Sequence, residues 1–345
     1  MILVKNKKGS ILITSLWITS ILSLLALGLG FRSSIELRLS KYSIEKIQAR
    51  YLAEAGFYKM KELLSKDGNA YDNLYECGVT YNSIETPAAV FGFESNNLPG
   101  GAFAVYYDRE SEEGTGYEIC YGMMDEDRKL NIDIDRIPLP DKAGEYRRIF
   151  GRLSPALTAE IVNAMMDWQD PDSDVTLPGG AEDADYEMLE HPYKCKNKPF
   201  ECIEELFMVK GMTRAVFDAI KDRVTVYSGG QININTASRE TLDALINDDS
   251  GVYLPLVNKI VTYRDGADGK EGTKDDGYFM DLNDISKKVV LDEAESARMA
   301  SLANYFIFKS DNFRIISRGR LRKITQTVTW IVERGSGKMK YYHEE

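Results

Sequence analysis

Two short stretches of this sequence crowd carboxylates in the way a hard cation requires. Asp170, Asp172 and Asp174 alternate along the chain and are followed by Glu182 and Asp183. Asp265, Asp268, Asp275 and Asp276 form a second set, in a loop where Gly266, Gly269 and Gly272 let the chain turn. Ca²⁺ takes about six to eight oxygen ligands from carboxylates and carbonyls held in a flexible loop. Neither stretch completes the EF-hand pattern, which needs a central glycine and a bidentate glutamate at its end. Acidic loops also occur as solvated surface, but packing several carboxylates so closely is costly unless a cation offsets their repulsion. The chemistry expected here is structural, with Ca²⁺ ordering loops that are otherwise loose.

Other chemistries find little to work with. Four cysteines and two histidines show no CxxC pair and no zinc-ligand spacing. Cys195 and Cys202 are near enough in sequence to form a short-loop disulfide in an oxidising compartment, and four idle thiols are the equal alternative. GxSxG, a Walker loop and HExxH are absent, so no catalytic residue is assigned and no enzyme is expected. A membrane-anchored glycosidase using paired carboxylates is the remaining enzymatic reading, and Asp clusters in Gly-rich loops suit ion binding better. The net charge of −11 argues against a duplex nucleic-acid partner.

The elements that must position these residues begin with a membrane segment. Met1–Gly9 carries Lys5, Lys7 and Lys8, and from Ser10 to Phe31 no side chain is charged. A helix of that length spans about 30 Å, the thickness of a bilayer core. The lysines on its N-terminal side predict a cytoplasmic N-terminus and a periplasmic body, with the helix in the inner membrane as a single pass. A secretory signal peptide would be shorter and followed by a small-x-small cleavage site; a plain signal anchor would need nothing more. Gly9, between the basic leader and the apolar run, resembles the class III signal of type IV pilins and pseudopilins, which is cut after the glycine to leave Ser10 as the new N-terminus.

Residues 32–66 continue as an amphipathic helix, with Ile35, Leu39, Ile47, Leu52 and Leu63 among charges, giving one helix from about Ser10 to Ser65. Ala53, Ala55 and Gly56 would let a sheet approach closely. Gly101–Asp108 and Gly116–Gly122 read as a hairpin, and Phe313–Arg318 with Thr325–Val332 as a second antiparallel pair. The expected division is a leader at 1–9, a transmembrane helix at 10–31, a stem and first strands at 32–125, a helical insert at 126–311, C-terminal strands at 312–335 and a tail at 336–345. The fold class is α+β, a small antiparallel frame with a large α-helical domain inserted.

Within the insert the sequence repeats itself. Lys129–Asp133 is echoed by Gln231–Asn235, each followed by a helix with an Ile-Val pair, Ile161-Val162 and Ile260-Val261. An Asp-rich loop follows each helix, and Phe200 and Phe279 then lead two helix starts with acids in the first turn. These halves have a helix–hairpin–helix or SAM-like outline. INININTASRETLDAL resembles the opening of helix–hairpin–helix DNA-uptake proteins, but the turn after Leu245 is acidic and lacks paired glycines, so nucleic-acid binding is not expected.

The ordered set DWQDP, GAED (Gly180–Asp183), PYKCKNKPF–IEEL–VKGM and INININTAS–TL–AL resembles the general secretion pathway protein K family, from leader to last strands. The resemblance implies a minor pseudopilin of a type II secretion system, with a pilin-like frame, an α-domain and calcium within that domain. It implies cleavage after Gly9 by a prepilin peptidase, methylation of the Ser10 amine, and contact with the inner-membrane secretion platform. Pilin-like subunits carry Glu at the fifth mature position, where this chain has Thr14; that departure suits the pseudopilus tip beside I-type and J-type minor pseudopilins. A K-like minor pilin of a type IV pilus is the alternative.

Overall fold

The computed structural model describes residues 8–75, 101–110, 117–248 and 250–345. Met1–Lys7, residues 76–100 with Cys77, residues 111–116 between the first two strands, and Asp249 fall outside them.

One helix, α1 (Lys8–Lys66), runs through the apolar stretch and the stem and stops before Asp67-Gly68. Its side chains from Ile11 to Ile44 face outward, and this helix is long and apolar enough to cross a membrane. Its last third lies across an antiparallel sheet ordered β10-β9-β8-β1-β2. The strands are β1 (Gly101–Glu110), β2 (Tyr117–Tyr121), β8 (Asn312–Leu321), β9 (Ile324–Glu333) and β10 (Met339–Glu344). The short β3 (Met124–Asp125) pairs with β8, Asp125 facing Phe313. Both expected hairpins form, and β1 also pairs with β8, so the N-terminal and C-terminal hairpins join in the middle of the sheet.

The packed face of the stem is Ala49, Leu52, Ala53, Phe57, Met60 and Leu64, seated on Val105, Phe313, Ile315, Val328, Trp330 and Val332. Phe57 stacks on Trp330 at 4.7 Å between centroids. Of the apolar stem residues anticipated above, Leu52 is buried and Leu63 partly so, while Ile35, Leu39 and Ile47 are exposed. Amphipathic spacing did not mark the buried face, because the seam is set by small residues: a Cβ on Gly319 would come within 2.0 Å of the Ala49 carbonyl oxygen. The segment expected as a tail at 336–345 holds β10, which closes one side of the sheet through register pairs from Met339–Val332 to Glu344–Val328. Period-two patterning is short there, and only the neighbouring β9 gives the run a partner.

Between β3 and β8 short helices alternate with long irregular connections, packed around one apolar cluster that includes Ile149, Met165, Leu206, Leu245 and Ile260. Its helices are α2 (Lys142–Leu153), α3 (Ala159–Asp167), α4 (Asp183–Tyr186), α5 (Arg214–Ile220), α6 (Arg239–Ile246), α7 (Leu254–Arg264), α8 (Leu282–Lys288) and α9 (Glu293–Ser301). Two parallel bridges join distant parts, β4 (Leu130–Asn131) with β5 (Val224–Thr225) and β6 (Ile232–Asn233) with β7 (Phe306–Ile307). Asn131 and Asn233 occupy matching places, each accepting the amide two residues on. The Ile-Val pairs lie on α3 and α7 and are buried. Of the two aromatic-led starts, Phe279 precedes an α-helix and Phe200 a 3₁₀ helix, Ile203–Met208. Arg148 and Arg298 converge on the carbonyls that end α6, Arg148 donating to Ala244, Leu245 and Asn247 and Arg298 to Ile246. These cations meet the negative end of the helix dipole and its unpaired carbonyls together.

Candidate metal centre

The first acidic loop grows out of the end of α3. Asp167, its last residue, is fully buried, and its carboxylate accepts the amides of Thr176 and Ala181, so it organises the loop from inside. The chain can pass this close only at Gly180, where a Cβ would meet Asp167 Oδ2 at 2.1 Å. On the other side, the Cys195 thiol donates to the Asp167 carbonyl at 3.3 Å.

Around this turn Asp170, Asp172 and Glu182 each place a carboxylate oxygen within 4.8 Å of the others. That spread is about twice a Ca²⁺–oxygen distance, so one ion reaches all three. Glu182 is buried, and neither of its carboxylate oxygens has a hydrogen-bond partner; Asp170 Oδ1 is buried and unpartnered too. A buried carboxylate with no donor is costly. Burial first, then the charges of Asp167, Asp170 and Asp172, push Glu182 up to about 7; burial and Asp172 push Asp170 up to about 6. A divalent cation removes both penalties at once, and the donor set, all oxygen, suits Ca²⁺.

Asn197 was not anticipated. It sits at φ 50°, in the left-handed region, and its buried Oδ1 has no partner. Its amide nitrogen reaches the Asp172 carbonyl at 3.4 Å, which puts a free carbonyl oxygen beside the cluster. An asparagine among lysines signals nothing in sequence; only its backbone conformation singles it out. Asp174 is exposed and gives only its amide, to Asp172 Oδ1. Asp183 accepts the Cys195 amide at 2.8 Å and lies near Lys194, so it braces the loop from outside the cluster.

The second acidic loop is built differently. Asp275 accepts the amides of Ala267 and Asp268, and Asp276 those of Gly272 and Thr273. Asp268 caps Lys270, and Asp265 is half-buried, raised to about 6 chiefly by burial. Among the described residues only the first loop gathers three metal-type ligands. Cys195 and Cys202 stand as free thiols, Cys195 buried and pushed up to about 12 by burial. Gly9 and Ser10 lie within the first turns of α1.

A single long helix laid on a small antiparallel sheet, with a helical body rising between its strands, is the build of a pilin-like subunit. Residues 133–229 match the family model for protein K of the type II secretion system, and residues 8–57 match the model of the PilX N-terminal region. Type II secretion system protein K of Pseudomonas aeruginosa is 24% identical over 97% of this chain and 92% of its own length. The protein of that name from Aeromonas hydrophila is 24% identical over 70% of this chain and 71% of its own. A chain in the crystal structure of the GspK-GspI-GspJ complex from enterotoxigenic Escherichia coli aligns with a TM-score of 0.59 at 18% identity, covering 89% of this chain and 99% of that one. The chain is thus similar to type II secretion system protein K along nearly its whole length, with the two matched family regions falling on its N-terminal helix and in its helical body.

Proposed function

We propose that this minor pseudopilin sits at the tip of the type II secretion pseudopilus, supporting assembly and protein export, and that its role is structural and not catalytic. The observation that carries this reading is the division of α1. One half is apolar and bare, free to anchor in a membrane and then pack in a filament; the other is fused to a sheet that carries a bulky helical body. A body of that size obstructs stacking of further subunits and is accommodated at an end. Thr14 adds to this: its hydroxyl turns back to the Ile11 carbonyl, offering no charge to a subunit above. The partners are I-type and J-type minor pseudopilins, as in the complex that the related chain forms. In the inner membrane the N-terminus is cytoplasmic and the body periplasmic, with the secretion platform and a prepilin peptidase acting on the anchored form. The PilX N-terminal match favours one second reading, a K-like minor pilin of a type IV pilus.

Co-expression with a cognate prepilin peptidase and an I/J pair tests this. The expected result is an intact mass lacking Met1–Gly9 only when the peptidase is present, with the Ser10 amine methylated, and co-elution of the processed chain with I and J. An unprocessed chain that elutes alone would remove the reading.

The helical region is read as an inserted α-domain of two related halves, supported by the matched bridges β4·β5 and β6·β7 and by the paired asparagines. Its first acidic loop holds structural Ca²⁺ through Asp170, Asp172 and Glu182, with Asn197 Oδ1 as a neutral ligand. Trp168 lies one residue beyond α3, against Tyr186 and Tyr193. It is therefore placed to sensitise Tb³⁺ bound at this loop. Tb³⁺ luminescence that Ca²⁺ competes away, and that Glu182→Gln removes, is the expected result. Protons compete for the raised carboxyls, so binding weakens as pH falls below about 7. Luminescence unchanged in Glu182→Gln would move the ion elsewhere.

A further inference from the structure

Where the helical region meets the sheet, carboxylates are buried with no cation of their own. Asp125, on β3, is 1% exposed and Asp127 2%. Asp125 Oδ2 accepts from Ser310 Oγ at 2.6 Å, Asn233 Nδ2 at 3.3 Å and the Thr236 hydroxyl; its Oδ1 accepts the Asp127 amide. Asp127 accepts only N–H groups, from the Asp311 and Asn312 amides and from Asn312 Nδ2. The contrast in partners matters. An N–H can only donate and so holds a carboxylate in its ionised form. A hydroxyl can also accept, and its hydrogen can swing away to receive an acid proton.

The surrounding charges are committed elsewhere. Just past β9, Arg334 pairs with Asp72 at 2.6 Å and with Asp67, both in the segment after α1. From β8, Arg314 pairs with Glu126, which Lys129 also approaches at 3.8 Å. Lys309 reaches Asp67, and Lys340 on β10 reaches Asn312 Oδ1 and Glu333. Asp311 adds a further negative charge beside Asp127. Two carboxylates thus share a buried seam, and only one has a purely N–H cage.

We infer that Asp125 takes up a proton from solvent when the sheet and the helical region close on each other, and returns it when they part. Asp127 keeps the charge. The seam is therefore tighter in mildly acidic than in alkaline solution. Burial raises both carboxyls above the usual range; the neighbouring Asp127 charge raises Asp125 further, whereas the Asn312 and Asp311 N–H groups draw Asp127 back down. A group raised in the closed state contributes stability that is full below its ordinary range and is lost as pH rises through the raised value.

Native-state hydrogen exchange of the full chain in detergent, with Ca²⁺ held in excess, reads this directly. After correction for intrinsic rates, protection of the Asp127, Asn233, Ser310 and Asn312 amides is expected to rise at least about tenfold from pH 8 to pH 5. Amides of α2 should not follow. Asp125→Asn, which mimics the protonated side chain, is expected to fold and to show seam protection that no longer depends on pH. Flat wild-type protection, a gain shared equally by α2, or a gain that survives in Asp125→Asn would each overturn the inference. Should Asp125→Asn not fold, the wild-type contrast between seam and α2 decides alone.

Discussion

Replacing Glu126 by alanine is expected to cost about 3–5 kcal/mol, the range for removing one partner of a buried ion pair. Glu126 is fully buried, and Arg314 meets it with two parallel hydrogen bonds of 3.0 Å. The Thr225 hydroxyl donates to it as well, and Lys129 stands 3.8 Å away. Removing the carboxylate leaves two cations facing each other in the buried seam between β3, β5 and β8. Against a total stability of about 5–15 kcal/mol this decides whether the body folds. Chemical denaturation measures the effect, and a triple change to apolar residues at Glu126, Lys129 and Arg314 should recover much of it. Burial alone would raise this carboxyl, but the Arg314 and Lys129 charges and the hydrogen bonds hold it at about 2. Its contribution is thus present above its ordinary value of 4.5 and lost only as pH falls towards 2, opposite in sign to that of Asp125.

The second large effect belongs to the stem. Gly319 faces the Ala49 carbonyl and the Ala53 amide, at 2.0 and 2.5 Å from where a Cβ would lie. Both are backbone atoms of α1 and cannot rotate aside. Gly319→Val is expected to cost about 3 kcal/mol or more by overpacking. The helix would lift from the sheet, so Trp330 should lose its stack on Phe57. A red-shifted tryptophan emission with a lowered melting temperature is the expected reading. Unchanged emission and stability would mean that the seam yields more easily than its backbone contacts imply.

Much of the frame could be read before any coordinates, because it rests on local patterns. The uncharged run from Ser10, the alternation from Thr327 to Ile331 and the small residues Ala53 and Gly56 each mark their own element. The carboxylate cluster of the first acidic loop was legible for the same reason, Asp170, Asp172 and Glu182 being close in sequence. What escaped depends on distant partners. Glu126 and Asp127 look like an exposed charge run until Arg314 and Asn312 arrive from far along the chain. Met339–Glu344 is too short to announce a strand without β9 beside it. That loop amides would donate to Asp275 and Asp276 was not legible either, because composition does not reveal how a loop folds back on its own carboxylates.

The chain leaves the sheet after β3 and returns at β8, where the Glu126 amide bonds to the Asn312 carbonyl at 2.9 Å. Departure and return are thus a single hydrogen bond apart. Everything between them is a detour whose length does not alter how the strands are threaded. An ancestral gene could lengthen, exchange or discard that detour in one step, without rewiring the sheet. The obstacle to such a step is chemical: the buried acids and bases at the crossing would have to be replaced together.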